Sequence, residues 1–478
     1  MPPVAAASIF LTGILGLFVL DRNEVTQGSK VLWIPTAWFF FCLSRSFSLW
    51  VGLGSVETAA QQASVYMNGN PVDRVVYISI EVMALLVVIS RRQRVYAILT
   101  SNWAIDLFFL YAGFSILWSD YPLVTFRHWI KGVGDLMMVL IILSEPDIPA
   151  AVRSMVTRLG FVLLPLSLLF IRYFPDIGRV YIPGGLPQAV GVTSQKNGLG
   201  ELCDCIGLGL LWCFRDAYSR QKSRGRRGRL IALGTVLAIV VWLLWMCNSM
   251  TSIAALSMAS SVMFLSARPA FRRKPAALHL LVAGVLGLSI YALFLQNSGS
   301  LVGELGRDPS LTGRTEIWKL VLSMPANRLV GTGYESFWVG PRLQKVWDTF
   351  QGIRIMEAHN GYVEILITLG WIGIVLLGLL IMIGYRNVIR DYRHNPDVGS
   401  LRIAWFLAAL ITAFTEAAFR MECPCWLVFL LAATAAPWSG SVSRRIRVRP
   451  AGASQAHLNV AEGDHVIADV KSKVQTVI

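Results

Sequence analysis

Thirteen long apolar runs, separated by shorter polar segments, decide what this chain can fold into. They fall near 4–20, 31–50, 75–90, 101–118, 130–144, 157–173, 198–214, 230–247, 252–267, 277–295, 362–384, 403–418 and 425–438. A bilayer core about 30 Å thick is crossed by roughly 20 apolar residues in a helix. The runs are continuous rather than alternating, which argues against a barrel, and a helix satisfies its own backbone in lipid. With 55% hydrophobic and 15% charged residues among 478, and a mean hydropathy of +0.57, the chain has too little polar surface for a soluble globule. The reading is an all-α polytopic membrane protein with about 12–13 transmembrane helices. Several runs are short, so some extend beyond these limits or one is re-entrant.

The net charge of +15 is distributed as a topology signal and not as a nucleic-acid footprint. The clusters RRQR at 91–94, RQKSRGRRGR at 220–229, RPAFRRK at 268–274, YRNVIRDYR at 385–393 and SRRIRVR at 443–449 all fall at segment ends. Placed together on the cytoplasmic side, they fit one alternating topology from the third run onward. The opposite loops are then 51–74, 118–129, 174–197, 248–251, 296–361 and 419–424. The largest, 296–361, holds seven Lys and Arg against six acids and lacks the cytoplasmic bias. Thirteen spans put the N-terminus outside and twelve put it inside. MPPVAAASIF has no basic leader region, so the first run reads as a retained helix. Residues 1–438 form the membrane domain, and 439–478 read as a polar cytoplasmic tail without a packed core.

Cys203, Cys205, Cys213 and Cys247 lie inside apolar runs and read as small core hydrophobes. Cys423 and Cys425 in ECPC face outward, but one CxC is a weak metal signal and an i, i+2 disulfide is strained.

The chemistry is therefore sought in the outer loops. In LTGRTEIWKLVLSMPANRLVGTGYESFW, a Thr and a Gly precede a helical pattern in which Ile317, Leu320 and Val321 recur at helix spacing. Arg314 and Trp318, four apart, share one face of that helix. The chain returns to the membrane at Ala358-His359-Asn360. If Asn360 or a neighbour caps the next helix, His359 sits at its positive end, where the dipole disfavours imidazolium and leaves a usable base. A simpler role for His359 is to tie the loop to the helix start.

Five segments in order, LWSDYPLVTFRHWIKG at 117–132, GVTSQKNGLGE at 191–201, LTGRTEIW, GTGYESFW and AHNGYVEILITLGWIG, resemble the O-antigen ligase and polymerase superfamily, particularly its exopolysaccharide-polymerisation members. The motifs run from about 100 to 373. The resemblance implies a glycosyltransferase of the bacterial cytoplasmic membrane whose site faces the periplasm. Its donor would be a glycan on undecaprenyl diphosphate, and its acceptor a lipid A core or a growing polysaccharide.

Breaking a glycosyl phosphate bond leaves charge on a diphosphate, which a metal or fixed cations must stabilise. The outer loops contain no DxD pair and no His/Cys cluster at ligand spacing, so the expectation is no metal and no cofactor, with cations serving instead. The candidates are Arg127, Lys196 and Arg314, the arginines suited by their planar fork. Each has a plainer reading: Arg127 and Lys196 as interface residues, Arg314 as a surface partner of Glu316 or Glu357. Arg172, Arg179 and Arg307 are weaker members of the same cationic mouth. Asn197 and Asn360 would orient sugar or phosphate oxygens. Trp318, Tyr334 and Trp338 would stack on a sugar or pack beneath the loop. The expected reaction is direct displacement with inversion, with His359 as general base on the acceptor hydroxyl.

Glu81, Asp106, Asp135, Asp204, Glu364 and Glu416 lie within predicted spans, where ionisable groups are costly and usually functional or paired. They carry the rival expectation, a proton-coupled transporter or flippase of lipid-linked sugars. The two readings part on whether His359, Arg314 and Lys196 converge at one end of the bundle or the carboxylates line a path through it.

Overall fold

The computed structural model describes residues 2–21, 29–53, 59–181, 187–219, 225–297, 312–351 and 353–436. Each of the thirteen apolar runs is helical over most of its described length, and among the described residues the one sheet is a two-residue pair, Arg179–Val180 against Gln188–Ala189. The all-α reading therefore holds. Four helices are long and apolar enough to cross a membrane by length and composition: Pro3–Leu20, Ile148–Tyr173, Arg226–Cys247 and Gly361–His394. A fifth is the pair Arg92–Thr100 and Trp103–Leu117, bent by 93°. Shorter apolar helices include Met250–Ser266 and Pro424–Ala433. The protein is thus a multi-pass membrane protein.

Helix starts follow simple chemistry. Asn70, Asp147, Asn360 and Asn395 each accept a hydrogen bond from a backbone N–H of the first turn. In three of the four, a proline stands within the first two helical positions, where its missing N–H leaves no bond unmade. The helix Gly361–His394 runs past the predicted limit of 384 into the basic stretch. Arg393 and His394 in its last turn suit the negative end of the dipole, and Pro396 starts a new helix.

The basic clusters meet acids at one end of the bundle. Arg91 pairs with Glu145 at 2.7 Å, Arg272 with Asp397 at 3.2 Å, and Arg229 with Asp21, just past the first helix, at 3.2 Å. At the other end the expected outer loops meet one another. Arg45 donates to the carbonyls of Val192 and Gly191, His128 Nδ1 lies 3.0 Å from the Glu335 carbonyl, and Arg342 reaches Asp120 at 2.6 Å.

The long loop is built on two short helices, Thr312–Ser323 and Gly340–Thr349, over their own apolar cluster, which includes Ile317, Val321, Phe337, Trp338 and Val346. It is also stitched into the membrane helix. At Gly370 the helix Gly361–His394 breaks, with φ +66°, and a passing segment takes up the freed backbone groups. Trp371 and Ile372 donate to the carbonyls of Arg328 and Leu329 at 3.0 and 3.1 Å, while Thr332 and Gly333 donate to Ile367 and Thr368 at 3.1 and 2.9 Å. Non-helical backbone at membrane depth survives only when other protein satisfies it in this way. A Cβ on Gly370 would stand 2.3 Å from the Leu329 carbonyl oxygen, so only glycine fits there.

One predicted span ends early. The run 403–418 is helical only to Thr412, and Glu416 lies in the irregular segment that follows. The carbonyls of that segment are claimed from outside: Gly361 N–H bonds Ala413 O at 2.8 Å, Asn360 Nδ2 bonds Phe414 O at 3.0 Å, and Arg314 bonds Thr415 O. Glu416 therefore faces the loops at the helix end and not the middle of a span.

Candidate functional site

His359 is held by its neighbours before its side chain makes any contact. Ala358 N–H donates to the Glu364 carboxylate, Ala358 O accepts from Trp318 Nε1 at 2.7 Å, and Glu364 in turn accepts from Trp338 Nε1 at 3.0 Å. Asn360 caps the helix through its amide oxygen, at 3.0 Å from both Tyr362 N and Val363 N. Between these anchors His359 adopts φ +48°, a left-handed conformation rare outside glycine and asparagine. The turn swings its imidazole into a cluster of charges. Nδ1 lies 3.1 Å from Glu357 Oε1 and 3.2 Å from Glu416 Oε2.

Each carboxylate is backed by an arginine. Arg314 Nη2 reaches Glu416 Oε1 at 2.9 Å, where Asn197 Nδ2 also donates at 2.8 Å. Arg420 reaches Glu357 Oε2 at 3.4 Å, Glu335 Oε2 at 3.0 Å and the Tyr66 hydroxyl at 3.4 Å. The order is arginine, carboxylate, imidazole, carboxylate, arginine, drawn from three stretches of the chain: Arg314, Glu357–His359 and Glu416–Arg420.

This arrangement overturns one expectation. Burial works against a charge on His359, but the hydrogen bonds and charges of Glu357 and Glu416 prevail and raise its pKa to about 10. The dipole argument foresaw a neutral imidazole. A helix N-terminus carries roughly half a charge, and two carboxylates near 3 Å outweigh it. Burial raises the pKa of Glu357, yet the bond to His359 and the charges of His359, Arg420 and Arg314 bring it down to about 2. His359 therefore contributes stability in full below its ordinary 6.5 and loses it as pH rises through about 10. Glu357 contributes in full above 4.5 and loses it as pH falls toward 2. The trio stays intact across the neutral range.

Two cavities share the wall Arg420-Met421-Glu422. The smaller, about 250 Å³, is acidic and lined by Glu201, Glu357, Glu416 and Glu422 among others. The larger, about 620 Å³, has Arg74, Arg127, Lys131 and Arg420, with Asp73, Glu81 and Glu422 among them, beside apolar Val65, Ile78, Phe126 and Ile130.

The predicted residues divide accordingly. Arg314, His359 and Asn197 meet at Glu416, and Lys196, at the start of the helix Lys196–Ser219, stands beside Asn197. Arg127 is exposed at the rim of the larger cavity, donating to Met67 O at 3.2 Å. Asn360 uses its amide oxygen to cap the helix and one N–H on Phe414 O, so it positions the turn. Trp318 is likewise a brace. Tyr334 is 3% exposed, with its hydroxyl against Gly132, and belongs to the core; Trp338 is buried too. His128 bonds the loop backbone, while Arg307 lies outside the described residues.

Arg314 pairs with neither Glu316 nor Glu357 but with Glu416, about a hundred residues away in sequence. Sequence reasoning missed Arg420 altogether. Its one signal was a charged pair, Arg420 and Glu422, interrupting the apolar C-terminal stretch in FRMECPC. The intramembrane carboxylates Asp135 and Glu364 hold loops in place: Asp135 accepts from Trp38 Nε1 and from Glu422 N, both at 2.8 Å, and Glu364 from Trp338 and Ala358. Glu357, His359 and Glu416 are close enough to share a cation. Arg314 and Arg420 already supply positive charge there.

Fold and site together define a polytopic helical membrane protein with a charged, two-chambered site at one end of its bundle. The chain is similar to the O-antigen ligase family, whose profile matches residues 227–378. It is also similar to the exopolysaccharide production protein ExoQ of Rhizobium meliloti (strain 1021), at 27% identity over 292 residues, 58% of this chain and 63% of that protein. The match thus spans somewhat less than two thirds of that relative's length. The likeness read from the five motifs is borne out. The matched region contains Arg314, Trp318, Tyr334, His359 and Asn360 but neither Glu416 nor Arg420.

Proposed function

We propose that this protein transfers a glycan from undecaprenyl diphosphate to a sugar hydroxyl on the periplasmic face of a bacterial cytoplasmic membrane. The observation that carries the reading is His359, shared by Glu357 and Glu416 with an arginine behind each, beside two cavities, one mainly acidic and one holding four cations, three acids and an apolar side. The larger cavity suits the donor, since its cations can bind a diphosphate while its apolar side takes the first isoprene units. The smaller, acidic one suits a sugar, whose hydroxyls donate to carboxylates. The likeness to an exopolysaccharide production protein favours a growing polysaccharide over a lipid A core as acceptor.

In the proposed reaction the acceptor oxygen attacks the anomeric carbon as the bond to the diphosphate breaks, inverting that centre. The acceptor's proton goes to His359. Arg314 exchanges Glu416 for a diphosphate oxygen and takes up the leaving charge with Arg420. No added Mg²⁺ or Mn²⁺ is needed, because fixed cations fill that role.

In the resting site His359 holds a proton, so its working form is the minority one. Acceptor hydroxyls that donate to Glu357 and Glu416 loosen their hold on the imidazole and bring its pKa back toward 6.5. The profile of kcat/KM for acceptor, which reports the free enzyme, should therefore rise with pH toward about 10. The profile of kcat should level off at lower pH. Purified protein in detergent, with lipid-linked donor and no added metal, provides the assay. A kcat/KM that falls between pH 7 and 10 would mean that imidazolium is the working form and would remove His359 as base.

Sidedness is tested separately. A reporter active only in the periplasm should work when fused within 312–350 and stay silent when fused after Arg226. The opposite pattern would sink the periplasmic site.

A further inference from the structure

We propose that Glu201, Cys423 and Cys425 form a binding site for a zinc-class divalent cation. Their ligand atoms all lie within 4.8 Å of one another, and Cys423 Sγ is 3.7 Å from Glu201 Oε2. A tetrahedral zinc ion with bonds of roughly 2.0–2.3 Å holds its sulfur and oxygen ligands about 3.6 Å apart. The three side chains are already near that spacing and need only a small inward shift.

The donor set also fits the ion. Two thiols and one carboxylate suit a borderline, tetrahedral cation, whereas magnesium and calcium take oxygen alone. Glu201 is half-buried, and among the described residues it has no arginine or lysine partner, unlike Glu357 and Glu416 nearby. A divalent cation supplies the missing charge. Cys205, one helical turn beyond Glu201, contacts Cys425 and stands behind it as a third thiol. All seven cysteines of the chain are free. Cys423 and Glu201 line the 250 Å³ cavity, which gives the ion an entry path and leaves its open position facing water.

The thiols bind as thiolates, so each sulfur–metal bond releases one proton to solvent, and affinity rises with pH. The ion would tie the helix Lys196–Ser219 to the start of the helix Pro424–Ala433. Asn197 and Arg420 lie on those same two stretches of chain, so the metal would brace the cavity that Glu357 and Glu416 also line.

Cobalt is the probe, because thiolate ligation gives it a charge-transfer absorption. Full-length protein in detergent, reduced and stripped of metal, is titrated with Co²⁺ and then with Zn²⁺. The expected result is one Co²⁺ per chain with a sulfur-to-cobalt band that Zn²⁺ abolishes. Cys423→Ser should halve the band, the double change Cys423→Ser/Cys425→Ser should remove it, and Glu201→Gln should weaken affinity at least about tenfold while keeping the band. His359→Ala should leave the titration unchanged, which separates this site from the Glu357–His359–Glu416 group. If the double variant does not fold, the Cys423→Ser and Glu201→Gln titrations decide. Absence of a thiolate band at saturating Co²⁺, or a band untouched by Cys423→Ser, would overturn the proposal.

Discussion

Replacing His359 by alanine should slow glycan transfer by at least about 10²-fold while the protein remains folded and still binds the undecaprenyl-linked donor. General base help typically contributes 10²- to 10⁴-fold, and alanine removes the proton acceptor while leaving the cationic cavity in place. Arg314→Ala should behave differently. It removes a fork that the proposed reaction uses on the diphosphate and also leaves Glu416, 4% exposed, short of its partner, so donor binding and turnover should fall together. Arg314→Lys should restore part of both, since the charge returns without the two-pronged geometry. Donor binding and single-turnover transfer, measured separately on purified protein, distinguish these outcomes. A near-normal rate for His359→Ala would reduce His359 to a loop anchor and move the search for a base to Glu357, Glu416 and Glu335.

Arg420→Ala should cost about 3–5 kcal/mol of stability, the usual result of leaving a buried charge without its partner. Glu335 is 3% exposed and depends on Arg420, with Glu357 and the Tyr66 hydroxyl on the same guanidinium. Neutralising both members, as in Arg420→Met with Glu335→Gln, should recover much of the loss, because no uncompensated charge remains. Thermal unfolding in detergent reads the comparison. If the single variant unfolds at the wild-type temperature, the pairing is ornamental and Arg420 does not hold the wall between the cavities.

The architecture was largely legible because hydropathy is a local property: each apolar run became a helix, and the Asn360 cap could be read from its own neighbourhood. The site was legible only in part. Arg314, Asn197 and His359 were foreseen, but their meeting point was not. Glu416 reads as the tail of an apolar run, and only the capture of the 413–415 carbonyls by distant residues shows that the helix has ended. The charge on His359 was misjudged because the turn at φ +48° that folds it back onto Glu357, two residues away, is not visible in the sequence, and because Glu416 approaches from 57 residues away. Tyr334 shows another limit. An aromatic side chain in a loop is equally suited to a sugar and to a core, and the packing of Gly132 against it settles which.

The break at Gly370 also sets a timetable. As the chain is made, Arg328–Gly333 emerges before the backbone at Ile367–Ile372 that pairs with it, and the partners of Arg314 and His359 in Thr415 and Glu416 come later still. Residues Gly361–Leu369 are cut off at Gly370 from the helix that follows, and the earlier segment satisfies their backbone there. The charged cluster is therefore incomplete until Glu416, 219 residues after Asn197, has been added.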